Sequence, residues 1–219
     1  MIFFFADNHY NSFPGREINK QLEIDHTINF YEDDWSAMET EDFADKCTLL
    51  VLNMIGDTCD IPHPSKLAEK QILKYAEKGG DFLLLHGSSA AFWQWDWWRE
   101  IVGFRWVRPN DPDGVAPSTH PKKPYTIEVS KCQHELCKKL KTIDLAKDEI
   151  YTELEQTCPA TILMQTTIEE GTFPQAYECT TPWGGTILGY LPGHNVEVTS
   201  SPEFIYNIKV LLDSLISTN

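Results

Sequence analysis

Histidine moves protons and holds transition metals near neutral pH more readily than any other side chain, and this 219-residue chain has seven. Three of the seven follow short apolar runs. His9 lies in Asp7-Asn8-His9-Tyr10 after the run 2–6. His86 opens His86-Gly87-Ser88-Ser89 after 82–85. His194 lies in Pro192-Gly193-His194-Asn195 after 186–190. A fourth run, 48–54, is followed by Asp57 and Asp60. One histidine in such a place is ordinary loop or core chemistry; three of them suggest a shared site. Glu149, in Lys147-Asp148-Glu149-Ile150-Tyr151, would complete a His/His/carboxylate set with His86 and His194. Such a set serves equally well for general acid–base work or for a divalent metal such as zinc. His120 and His134 are weaker candidates. No H-E-x-x-H, P-loop, G-x-G-x-x-G or EF-hand pattern occurs.

The apolar runs are the elements that must position these groups. Residues 2–6 and 82–85 are continuously apolar and 48–54 strongly so, as strands buried on both faces of a parallel sheet are, and 26–31 reads as a further strand. A helix is expected over 15–23. Another begins at the capping Ser65, carries Ala68, Ile72, Tyr75 and Ala76 on one face and stops at Gly79-Gly80. Strand and helix alternate, so an α/β fold is expected, and ligands of such sheets bind beyond the carboxyl ends of the strands. The turn after 82–85 has the form of an elbow. His86 takes the place a Ser or Cys nucleophile would hold, Gly87 lets a ligand approach, and a helix over about 89–102 would offer free N–H donors. Five of the seven tryptophans fall in 93–106. At helical spacing one face packs in the core; Trp93 or Trp95 could instead stack on a sugar. Residues 108–124, with five prolines, read as a loop. Strands are expected at 125–129, 161–165 and 186–190. The last helix starts at Ser201-Pro202 with Phe204, Ile208, Leu211, Leu212 and Leu215 on one face.

Composition bounds the partners. With 18 basic and 33 acidic side chains, the net charge of −15 disfavours nucleic acid and anionic membrane. The region 79–106 is nearly balanced, with two basic and three acidic residues, which suits a neutral small-molecule ligand. The six cysteines form no C-x-x-C pair and read as free thiols in a reducing compartment. No signal peptide or membrane-spanning run is present, so a cytoplasmic location is expected, with one domain over 1–219.

Taken together, Gly79-Gly80-Asp-Phe-Leu-Leu-Leu-His86-Gly87-Ser88-Ser-Ala-Ala-Phe, Trp97 and Glu100-Ile-Val-Gly103-Phe104 resemble the central motif of ThuA-like (trehalose utilisation) proteins. His120-Pro121 is similar to a His-Pro of that family and Asp148-Glu149-Ile150-Tyr151 to its Asp-Glu-Leu-Tyr. Gly184-Gly185 through Gly193-His194 resembles its final Gly-His segment. The matches occur in family order over most of the chain. Gln133-His134-Glu135 departs from a frequent Asp-His-Pro. The resemblance implies a flavodoxin-like three-layer sandwich with a mostly parallel central sheet, of the class I glutamine amidotransferase-like kind. It implies no glutaminase, because His86 replaces the elbow Cys. It also implies a role in carbohydrate utilisation, as a hydrolase or isomerase of a disaccharide or keto-sugar. His86, Glu149 and His194 would be catalytic, or ligands of a divalent metal; His9, Gly87, Ser88, Trp93, Trp95 and Tyr151 would bind substrate. The other readings are a non-catalytic sugar-binding or regulatory module on the same fold, and, ranking last, a hydrolase using a free cysteine. The partner expected is a small-molecule carbohydrate, with a homo-oligomer left open.

Overall fold

The computed structural model describes residues 1–57 and 61–217; Asp60, named above, and Cys59, one of the six cysteines, lie outside them. The strands are β1 (Ile2–Ala6), β2 (Ile28–Glu32), β3 (Leu49–Asn53), β4 (Asp81–Leu85), β5 (Phe104–Arg105), β6 (Lys122–Val129), β7 (Ile143–Glu149), β8 (Glu155–Gln156), β9 (Ala160–Ile168), β10 (Gly171–Thr180) and β11 (Thr186–Tyr190). The helices are α1 (Pro14–Gln21), α2 (Phe43–Lys46), α3 (Lys66–Glu77), α4 (Asp96–Ile101), α5 (Val196–Thr199) and α6 (Pro202–Ser217), with short 3₁₀ turns at Ser36–Glu39, His86–Ala90 and Glu135–Lys138.

Nine strands form one sheet in the order β2-β1-β3-β4-β11-β10-β9-β6-β7. The first five run parallel. From β11 to β7 every pairing is antiparallel. The sheet is therefore mixed, and the parallel half corresponds to the apolar runs. A strand buried on both faces sends successive side chains to opposite layers. Phe3 and Phe5 of β1 join the layer of α3 and the tryptophan-rich segment, while Ile2, Phe4 and Ala6 join that of α1 and α6. This gives the three-layer, flavodoxin-like α/β sandwich. Ser65 caps α3 through its hydroxyl, which accepts from Leu67 and Ala68 N–H.

The expected helix over 89–102 is largely absent. A 3₁₀ turn covers His86–Ala90 and only Asp96–Ile101 is α-helical. Phe92, with φ +53°, breaks it, and its ring stacks on Trp95 with centroids 4.0 Å apart. Trp95 and Trp98 are fully buried, Trp98 edge-on to Phe82 at 5.5 Å. This segment works mainly as core. The reading of six free thiols also gives way. Cys132 and Cys137 form a disulfide across the turn between β6 and the Glu135–Lys138 turn, while Cys47, Cys158 and Cys179 are free. That pair removes the basis on which the cysteines pointed to a reducing compartment. Among the described residues no helix is long and apolar enough to cross a membrane.

Candidate active site

The carboxyl ends of β1, β4 and β11 converge, and the turns after them carry the three histidines. His9 sits in a turn where His9, Tyr10 and Asn11 all have left-handed backbone (φ 44°, 56° and 66°). Such conformations cost of order 1–3 kcal/mol each in a non-glycine residue and persist only where the surroundings fix them. Here Phe13 N–H donates to Asn8 C=O at 3.1 Å, Ser12 N–H to His9 C=O at 3.2 Å, and Asn8 N–H to Asp33 Oδ1 at 2.9 Å. The turn faces the elbow, where His86 is also left-handed (φ 43°). A Cβ on Gly87 would stand 2.9 Å from His9 Cε1, so glycine is what lets that imidazole lie against the elbow. Ser88 does not face the site: its buried hydroxyl accepts Met54 N–H at 3.1 Å and ties the elbow to the end of β3.

Glu149 arrives from the far edge of the sheet. Register pairs it with Lys122 across β7 and β6. The next carboxylate back, Asp148, fastens this strand end to the third histidine turn by accepting Gly193 N–H at 2.7 Å and His194 N–H at 3.1 Å.

The result is a tight constellation. His9 Nε2 is 3.2 Å from His194 Nδ1. Glu149 Oε2 is 3.4 Å from His194 Nδ1 and 3.7 Å from His86 Nε2. One nitrogen from each of His9, His86 and His194 lies within 4.8 Å of the others. Two ligand atoms bound at about 2.0–2.1 Å to a tetrahedral zinc stand about 3.3–3.4 Å apart; the His9–His194 pair has that spacing, and the His86 imidazole would have to move closer to share a cation with them. The outer contacts fit as well. His86 Nδ1 donates to Leu191 C=O at 2.8 Å, which leaves Nε2 unprotonated; Tyr151 OH donates to it at 3.1 Å. His9 Nδ1 faces Asp7 Oδ1 at 3.7 Å, and Asp7 Oδ2 accepts Ile55 and Gly56 N–H. Carbonyl and carboxylate partners of this kind orient metal-binding imidazoles. On the other side, Glu149 Oε1 takes Lys122 Nζ at 2.9 Å and His120 Nδ1 at 3.3 Å. Lys122 Nζ also lies 3.4 Å from His194 Nε2. A cation held through Nδ1 would put the His194 proton on Nε2 and leave Lys122 to Glu149, its shorter contact.

Electrostatics favour neutral imidazoles. Burial, then the neighbouring His9 and His194, push His86 well below the ordinary histidine value. Burial brings His194 down to about 4, against the pull of Glu149. Burial would raise the Asp7 carboxyl, but His9 and the Ile55 and Gly56 N–H groups outweigh it and hold it below the usual range. Burial lifts Asp148 to about 6. A pH effect on stability follows for chelator-treated protein. As pH falls below the ordinary histidine value the unfolded chain protonates both histidines while the folded chain resists, for His194 down to about 4, so stability falls as pH is lowered. Asp148 acts in the opposite sense below pH 6, and two imidazoles outweigh one carboxyl. Thermal melts across this window are expected to show a falling Tm; a flat profile would mean the imidazoles are not held neutral.

His9, Glu149, Tyr151 and His194 line a cavity of about 330 Å³, with Tyr10, Ile55, Trp106, His120 and Lys122 on its other sides. That is the lower end of the ~300–1,000 Å³ usual for small-molecule sites. His86 stands just behind it, 1% exposed. The two tryptophans expected at substrate lie elsewhere. Trp95 is enclosed in the core. Trp93 is held by Asp57 at 3.2 Å with the Arg108 guanidinium over its ring, and it does not line this cavity; Trp106 does. Lys122 was missed because a lysine in a proline-rich stretch gives no sequence signal of its pairing with Glu149.

Residues 8–209 match the family described as ThuA, trehalose utilisation. No curated protein matches the chain. Among solved structures, a ThuA-like protein of Parabacteroides merdae is 14% identical, over 99% of this chain and 89% of its own, with a TM-score of 0.75. A ThuA-like protein of Bacteroides uniformis is 12% identical, over 100% and 91%, with 0.74. A cytoplasmic protein of Salmonella typhimurium is 9% identical, over 97% and 98%, with 0.63. At such identities the likeness is one of fold.

Proposed function

The chain belongs to the ThuA, trehalose utilisation, family, and on that premise we propose that it is an enzyme acting on a disaccharide or its keto derivative, as a hydrolase or isomerase. In this reading His9, His86 and His194 hold a divalent transition metal, and Glu149 is the proton acceptor. The observation that carries it is the placing of Glu149 Oε2, 3.4 and 3.7 Å from two of the three imidazoles, at the edge of the cavity. Three imidazoles with an open fourth position form a catalytic arrangement, and a bound cation would polarise a sugar carbonyl or hydroxyl there.

The chain's own groups do the rest. Lys122 and His120 hold Glu149 by its outer oxygen and leave the inner one free to take a proton. Glu149, with 5% of its surface exposed, presents its carboxylate at the cavity wall. The Tyr151 hydroxyl, 3.1 Å from His86 Nε2, lines the same space and can donate to a substrate oxygen when a cation takes that nitrogen.

The test is a turnover screen of Zn²⁺-loaded protein against glucosyl disaccharides, trehalose among them, unmodified and in keto form, followed by NMR. Turnover that stops on chelation and returns with Zn²⁺ is expected. Sugar binding without turnover would support the regulatory-module reading instead, and neither binding nor turnover would reject both.

A further inference from the structure

Trp106 is the one tryptophan on the wall of the cavity. It belongs to none of the groups discussed as catalytic, and its placement needs a reason. The backbone fixes it: Trp106 N–H donates to Ser89 C=O at 2.8 Å, anchoring the residue after β5 to the elbow. The indole packs against Tyr151, ring centroids 4.9 Å apart, and Tyr151 in turn against His86 at 4.8 Å. Tyr151 thus touches both the indole and the His86 imidazole. The indole also lies against His120, with centroids 5.2 Å apart and the rings tilted. Trp106 is half-buried, so part of its surface faces the cavity. His120 and Lys122, at 47% and 44% side-chain exposure, stand on the same cavity wall with hydrogen-bonding nitrogens.

An aromatic surface of this sort, with polar groups along its margin, suits a ligand with one apolar C–H face and hydroxyls around its edge, which describes a pyranose. We infer that Trp106 forms a second-ring subsite: it stacks the sugar unit adjacent to the one that reacts at the histidine centre, and so makes the site prefer a disaccharide over a monosaccharide. The inference rests on the carbohydrate reading above and adds to it a residue that sets specificity. Charge agrees with a neutral ligand, because the formal charges of Lys122 and Glu149 in the wall are paired with each other.

Isothermal titration of the Zn²⁺-loaded protein with the same disaccharides, and with their matching monosaccharides, tests it. Wild type is expected to bind its preferred disaccharide at least tenfold more tightly than the monosaccharide. Trp106→Ala should reduce that ratio to about two or less, with metal content and monosaccharide affinity retained, and Trp106→Phe should fall between. Trp183→Ala, on the β10–β11 turn at the other end of β11 from His194, controls for loss of a surface indole. If Trp106→Phe, which keeps a ring in the packing, and Trp106→Ala both retain the wild-type ratio, the subsite is wrong while the carbohydrate reading stands. If wild type binds monosaccharide and disaccharide equally, the subsite is likewise wrong. If wild type holds metal and binds no sugar, the carbohydrate reading fails and takes the subsite with it.

Discussion

Replacing His9 by alanine is expected to lower Zn²⁺ affinity at least a hundredfold, as read by competition with a chromophoric chelator. The argument is geometric. His9 Nε2 and His194 Nδ1 are 3.2 Å apart, the closest pair of donor nitrogens in the cluster. Removing one of three imidazoles leaves two ligands and a carboxylate. The His9 ring is also pre-positioned: it is 3% exposed, on a strained turn held by Asp33 and Asn8, with Asp7 behind its Nδ1. Such partners typically account for 10–100-fold in affinity on their own, so Asp7→Asn should reproduce part of the loss. His134→Ala should leave affinity unchanged, since that ring pairs with Glu178 on β10. Equal affinity in wild type and His9→Ala would mean that the imidazoles form a hydrogen-bonded cluster and nothing more.

Glu149→Gln should separate binding from chemistry. Measured at saturating Zn²⁺, turnover should fall by about 10²–10⁴, the range in which a positioned general base contributes, while cation affinity changes by less than about tenfold. Glutamine keeps the size and the hydrogen-bonding reach toward Lys122 and His120 and removes the ability to take a proton. Lys122→Met should have a smaller effect on turnover, since the carboxylate remains and His120 Nδ1 still holds its Oε1. A Glu149→Gln variant with wild-type turnover would remove this residue from the reaction.

The parts of the fold that could be read from the sequence are those where both faces of a strand are apolar. Ile2–Ala6, Leu49–Asn53 and Asp81–Leu85 consist almost wholly of apolar residues and are central parallel strands. β7 and β10 gave no comparable signal. β7 alternates buried and exposed residues only over 143–146 and carries Asp144, Lys147, Asp148 and Glu149. β10 contains Pro174, where the pairing with β9 shifts register. The helix expected after the elbow fails at Phe92, because a left-handed residue there is stabilised by tertiary stacking on Trp95, which no local pattern encodes. The strand-end argument located His9, His86 and His194, since the sheet itself brings strand ends together. It assigned His9 to substrate rather than to the cluster, because its approach to His194 depends on a turn of left-handed residues that spacing cannot reveal. Indole placement depended on the same missing helix: Trp93 and Trp95 were expected at the site, and the segment instead carries Trp106 to the cavity.

The central claim is that three imidazoles form one cation centre with the Glu149 carboxylate beside it. A crystal of the protein grown with one equivalent of Zn²⁺, measured at the zinc absorption edge, tests it most directly. The account predicts a single strong anomalous peak, at about 2.0–2.2 Å from Nε2 of His9, Nε2 of His86 and Nδ1 of His194, with Glu149 beside the remaining position. No peak there, or a peak on surface carboxylates alone, would contradict it.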